Sequence, residues 1–283
     1  MESVMSDFAK QLKKGTSLSF VKGALDPVTL KKIKDAGIDC IEISMKMEQL
    51  VHKYCFIERA KEYGKMIADA GLELWSLHLP FSGAIDISLT RKFERDYATS
   101  LHTELIKAAA EAGAKVCVLH PSSEPIAEKD RPMRIRRSHE SVKKLAAVAD
   151  SVGITLAVEN LPRTCLTRTP DEMAKILEGT SAKMCFDANH SLTLTNLEYL
   201  AKIKELGIKV ATVHFSDYDF INERHRIPGD GINDWNAIMA ALEDMGYEGR
   251  LMYEVSSQPV DRSVTYTLEQ LSENMDMLAD GKL

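Results

Sequence analysis

The sequence contains no CxxC pair, and its five cysteines (Cys40, Cys55, Cys117, Cys165 and Cys185) are odd in number. That combination argues against both a disulfide framework and a zinc ribbon. Three of the five lie inside apolar runs, where a free thiol behaves as a small hydrophobe, so a reducing cytoplasm is expected. No apolar run approaches the roughly 20 residues that a membrane-spanning helix needs. The N-terminal segment has no apolar core of a secretory signal. Excess positive charge is missing too: 36 Lys and Arg stand against 42 Asp and Glu, a formal net charge of -6. An acidic chain has no electrostatic reason to seek a polyanion, so neither nucleic acid nor a membrane is the expected partner. No linker rich in Gly, Pro or Ser divides the chain, and no glycine-rich loop announces a phosphate cradle.

What is present is an alternation. Short apolar runs are each followed by a longer helical stretch. The expected strands are residues 17–21, 40–44, 73–79, 115–120, 155–159, 183–187, 210–214 and 251–255. Helical patterns lie between them, among them residues 93–112, 135–152 and 235–245. Such alternation implies parallel strands with helical crossovers, and eight repeats is the count that closes a (β/α)8 TIM barrel. One barrel domain over residues 1–283 is the expectation. Gly37, Gly71, Gly113 and Gly153 each stand just before a strand, where glycine can end a helix in the left-handed conformation. The one charge run, Arg131 to Arg137, reads as a solvated helix start.

In a TIM barrel, chemistry gathers at the carboxyl ends of the strands. Six consecutive expected strands end in His78, His120, Glu159, Asp187, His214 and Glu254, and His190 follows Asp187 by three residues. Any one of these could be an ordinary loop residue or a helix cap. Together they would place several carboxylates at one mouth, a self-repelling cluster without a cation. His and carboxylate side chains are ligands for Zn²⁺ or Mn²⁺, and carboxylates also suit Mg²⁺. One divalent metal ion is therefore expected there.

Five segments carry a family resemblance: Val158-Glu159-Asn160, Phe186 to His190, Val213 to Asp217, Arg226 to Gly231, and Tyr253-Glu254-Val255. In order and spacing they resemble the xylose isomerase-like TIM barrel superfamily, which includes ketose 3-epimerases, hydroxypyruvate isomerases, inosose dehydratases and the endonuclease IV group. The resemblance implies that Glu159, Asp187, His214 and Glu254 are metal ligands. It implies substrate contacts for His78, His120, His190 and Arg226, and a packing role for Trp235.

The implied chemistry is isomerisation or epimerisation of a sugar or sugar phosphate. A proton is removed next to a carbonyl, and a divalent metal (Mn²⁺, Mg²⁺, Co²⁺ or Zn²⁺) stabilises the enediolate. Glu159 and Glu254 are the two candidate bases. Return of the proton to the opposite face gives an epimer; transfer to the neighbouring carbon gives an aldose–ketose pair. Loss of water gives an inosose dehydratase-type lyase. A rival reading is zinc-dependent cleavage at abasic sites, because His78, His120, Glu159, Asp187, His190, His214, Glu223, His225 and Glu254 also trace the metal set of endonuclease IV. The acidic balance, the segment Leu79 to Gly83 and the Pro-Gly after Arg226 favour the sugar reading. A barrel kept only for binding is the third class. Substrate choice is expected from loops after the first three strands, with Lys22, Glu42, Ser44, Lys46 and Ser82 as polar candidates. Met45, Met47 and the apolar helix over 264–277 read as core packing, or as an interface in a homo-oligomer.

Overall fold

A computed structural model describes residues 8–21, 25–45 and 50–283, with only the backbone given for residues 50–55. Lys22, Lys46 and Met47 lie outside the described residues. Eight strands alternate with helices: β1 (Lys14–Ser17), β2 (Cys40–Ser44), β3 (Glu73–His78), β4 (Val116–Leu119), β5 (Thr155–Glu159), β6 (Lys183–Asp187), β7 (Val210–His214) and β8 (Leu251–Tyr253). After a short α1 (Phe8–Gln11), the helices are α2 (Pro27–Asp35), α3 (Leu50–Asp69), α4 (Lys92–Glu111), α5 (Arg131–Ser151), α6 (Pro170–Leu177), α7 (Asn196–Glu205), α8 (Trp235–Asp244) and α9 (Leu268–Ala279). Neighbouring strands pair in parallel in chain order from β1 to β7, and β1 also pairs with β8. Beyond β7, Phe215 closes the ring: its N–H bonds Met252 O at 2.9 Å, and its carbonyl accepts from Glu254 N at 3.1 Å. The result is a (β/α)8 TIM barrel.

The first strand starts three residues earlier than its apolar pattern suggests. Its sequence, Lys-Gly-Thr-Ser, carries no hydrophobic signal. At Gly15 a Cβ would lie 2.7 Å from both Cys40 Sγ and Met252 Cε, so a larger residue would force those side chains to shift. Leu18 and Phe20, the residues that drew the strand downstream, are buried in the loop that follows. Of the helix-ending glycines, Gly37 and Gly113 take φ values of +83° and +91°. Met45 and the α9 stripe (Leu271, Met275, Leu278) are buried in the core.

Strand periodicity stacks the barrel interior in layers. Val116, Val118, Ala157 and Cys185 form a small apolar cluster. Two residues further along the same strands come His120, Glu159 and Asp187. The main apolar core packs helices against the outside of the strands. No helix among the described residues is long and apolar enough to cross a membrane.

The Arg131 to Arg137 run is not simply a solvated helix start. Arg131 is buried: it bonds Glu172 Oε1 at 2.8 Å, Cys165 O at 3.1 Å and Thr164 O at 2.6 Å. Arg134 reaches Asp86 Oδ2 at 2.5 Å and Ser88 Oγ at 2.8 Å. These two guanidiniums tie α5 to the loops after β3 and β5, which border the mouth. Arg137 stays near the surface and pairs with Glu140.

Candidate metal centre

Glu159, Asp187 and His214 end β5, β6 and β7, and Glu254 follows β8 directly. The first three are fully buried, and the Glu254 side chain is 19% exposed. Each offers one ligand atom, and these atoms lie within 4.8 Å of one another. His214 Nδ1 is 3.2 Å from Glu159 Oε1, 3.2 Å from Glu254 Oε2 and 3.9 Å from Asp187 Oδ2. Asp187 is set in place by its neighbours: Oδ1 accepts from Asn189 N at 2.5 Å, while its own N–H bonds Asn160 Oδ1 at 2.8 Å. Its other oxygen, Oδ2, is buried with no hydrogen-bond partner among the described residues. A buried carboxylate oxygen left open costs free energy unless something else meets it. An orphaned oxygen inside a cluster of three carboxylates and one imidazole fits a divalent cation.

Supporting contacts hold this set from behind. His214 Nε2 meets Glu42 Oε2 at 3.1 Å, and Ser76 Oγ donates to the same oxygen at 2.7 Å. A proton shared with Glu42 occupies Nε2 and leaves Nδ1 for the cluster. Glu159 Oε2 faces His78 Nε2 at 3.2 Å and His120 Nε2 at 3.0 Å. His190 donates through Nδ1 to Asn160 O at 2.9 Å, and its Nε2 sits 3.2 Å from Glu223 Oε1.

The electrostatics follow from burial and from these contacts. Burial raises the Asp187 carboxyl well above the usual carboxylate range. Burial works the same way on Glu159, but His120 and His214 outweigh it and hold its carboxyl well below that range. His214 is pushed well above an ordinary imidazole: burial disfavours its charge, and the surrounding carboxylates more than compensate. His78 rises to about 9, with Glu159 overcoming burial in the same way. Burial lowers His120. Glu223 is held at about 2 because His190 and Arg163 outweigh its burial.

Above the cluster opens a cavity of about 390 Å³ whose lining includes His78, Phe81, His120, Glu159, Arg163, His190, Glu223, His225 and Glu254. Phe81 stacks on His120 with ring centroids 3.8 Å apart. Arg163 and His225 hold left-handed backbones, with φ of 50° and 47°. Such conformations in non-glycine residues cluster at functional sites. A larger groove, about 780 Å³, lies between α5 and α6 and shares no lining residue with this cavity.

The sequence matches the xylose isomerase-like TIM barrel family over residues 30–280. The chain belongs to that family. Among curated relatives, an uncharacterized protein of Methanocaldococcus jannaschii is 26% identical over 63% of this chain and 63% of its own length. An inosose dehydratase of Clostridium perfringens is 27% identical over 42% of this chain and 46% of its own length. The chain thus matches less than two thirds of each of these relatives. The solved structure of D-psicose 3-epimerase with D-tagatose from Clostridium cellulolyticum H10 superimposes with a TM-score of 0.77. It covers 96% of this chain and 98% of that one at 20% identity, a likeness of fold.

In this family member, the fold brings together seven of the eight residues singled out from the sequence: His78, His120, Glu159, Asp187, His190, His214 and Glu254. Arg226 stands apart. It is buried at the rim against Asp261, donates to Asp230 O at 3.2 Å and is not among the described residues lining the cavity. Trp235 is a packing residue, donating to Asp217 Oδ2 at 2.9 Å and meeting Phe215 edge-on. Glu42, first read as a loop candidate, lies in the barrel beneath His214. Arg163 and Glu124 had no motif to reveal them; they meet at the cavity only through folding of separate loops.

Proposed function

We propose that this chain is a divalent-metal-dependent isomerase or epimerase of a sugar or sugar phosphate, working by proton transfer next to a carbonyl through an enediolate. The observation that carries this reading is the cluster of Glu159, Asp187, His214 and Glu254 below a cavity of small-molecule size, with both glutamates also lining that cavity. These four residues would hold one ion, and their mixed N/O set suits Mn²⁺, Mg²⁺, Co²⁺ or Zn²⁺. A bound divalent ion supplies Lewis-acid stabilisation of charge on a carbonyl oxygen. The remaining work belongs to the chain. Glu159, clamped at Oε2 by His78 and His120, is a fixed base whose other oxygen, Oε1, faces His214 Nδ1 in the cluster at 3.2 Å. Glu254 is the more exposed of the two and can exchange its proton with solvent. Removal by one and return by the other gives epimerisation; return to the neighbouring carbon gives isomerisation. His190, held between Asn160 O and Glu223 Oε1, lines the cavity, and Phe81 adds an aromatic face to it. Loss of a hydroxyl after the same proton abstraction would give a dehydratase, a reading favoured by the inosose dehydratase relative.

Two measurements test this. Elemental analysis should find one Mn, Mg, Co or Zn per chain. Incubation of the metal-loaded protein with ketoses, inososes and sugar phosphates in D₂O should place deuterium beside the carbonyl. Glu159→Gln and Glu254→Gln should each slow that exchange by about 10²–10⁴-fold. Three zinc ions per chain would move the reading to phosphodiester cleavage. A protein that takes up no metal, even with Mn²⁺ added, would sink it.

A further inference from the structure

We infer that, on the isomerase reading, the cavity takes an uncharged polyhydroxy substrate in preference to its phosphate ester, and that Glu124, Arg163 and Glu223 set this preference. Arg163 is the one Lys or Arg side chain among the described residues lining the cavity. Its guanidinium is already engaged. Nε donates to Glu124 Oε1 at 2.8 Å, Nη2 lies 2.7 Å from the same oxygen, and Nη1 donates to Glu223 Oε2 at 2.9 Å and Asn222 Oδ1 at 3.4 Å. The fork that would grip a phosphate is the fork that grips these two carboxylates, so the competition is direct. A phosphate arriving there would displace Glu124 or Glu223 and then lie beside it, anion against anion.

Displacement would also disturb His190, which Glu223 meets at 3.2 Å. The alternative anchorage in a TIM barrel is a helix N-terminus after the seventh or eighth strand. Here α8 begins under its own carboxylate, with Ala237 N donating to Asp234 Oδ1 at 3.0 Å. The first turn of α9 is closed by a reciprocal Thr267–Gln270 capping box. Phe81, stacked on His120, and Leu161 and Pro162 give the cavity lining apolar surface. Such a surface suits the C–H face of a neutral carbon chain.

The test needs no turnover. Pentitols and hexitols, and their terminal phosphate esters, would be titrated calorimetrically into the metal-loaded protein. The polyol that binds best should bind at least about tenfold more tightly than its ester, a difference of about 1.4 kcal/mol. Glu124→Gln, which keeps the side-chain shape but frees part of the Arg163 fork, should narrow that ratio. Arg163→Met should not improve ester binding. An ester that binds the wild type as well as its parent polyol overturns the inference and leaves the isomerase reading standing. If neither polyols nor esters bind, the sugar-cavity reading itself fails.

Discussion

His214 is the side chain on which the centre turns. Its Nε2 is fixed by Glu42, and its Nδ1 faces two carboxylate oxygens at 3.2 Å. Removing Glu42 leaves the imidazole free to rotate or to change tautomer. Glu42→Ala should therefore weaken metal affinity by about 10–100-fold, measured by competition with a chelating dye. Proton bookkeeping gives a second expectation. Without the ion, burial raises the Asp187 carboxyl above the usual carboxylate range, and the carboxylates around His214 raise its imidazole, so both bind protons more tightly than in water. An ion must expel those protons to bind, so affinity should climb with pH through the raised Asp187 range and fall as acid is added. Calorimetry in buffers of different ionisation enthalpy should register net proton release; no release would mean that the cluster is already deprotonated. Six of the seven clustered residues were legible because each ends an apolar run, and the seventh, His190, because it follows Asp187 closely. Glu42 sits inside such a run, Cys-Ile-Glu-Ile-Ser, where a lone charge gives no hint of its partner 172 residues away. Arg226 turns to Asp261 and not into the cavity lining, an orientation that sequence order does not carry.

At the scale of elements, strands with an apolar or β-branched pattern were readable almost to the residue; β5, β6 and β7 match their expected bounds. β1 was not, because a four-residue polar strand flanked by Leu18 and Phe20 gives its signal in the wrong place. The start of α5 misled for the opposite reason. Clustered arginines usually mean solvent, yet buried Arg131 pairs with Glu172 at 2.8 Å. Helix contacts are equally hidden. α3 approaches α4 so closely at Gly64 that a Cβ would lie 2.3 Å from Ala112 O, a backbone atom with little room to yield. Gly64→Ala should cost about 1–3 kcal/mol in urea unfolding, with cavity-ligand affinity little changed. A variant as stable as the wild type would mean that the two helices can slide apart.

For the whole molecule, the alternation of runs was enough to name the barrel, because a chain of eight strand–helix units has few ways to bury every strand. The position of the mouth followed from the strand ends. The rim was legible only at Glu223, named with His225 in the endonuclease IV reading; Glu124 and Arg163 come from two other loops with no shared pattern, and the closed ring brings both carboxylates within 2.9 Å of Arg163.

Closure has a temporal side. The candidate metal cluster draws on β5, β6, β7 and the residue after β8, and its brace on β2, through a contact spanning 172 residues. Contacts this distant in sequence form late, after shorter loops have closed. A nascent or refolding chain that has not docked β8 lacks Glu254 and has no seam at Phe215, so it owns only part of the ligand set. The four-residue set is thus complete only once β8 has docked.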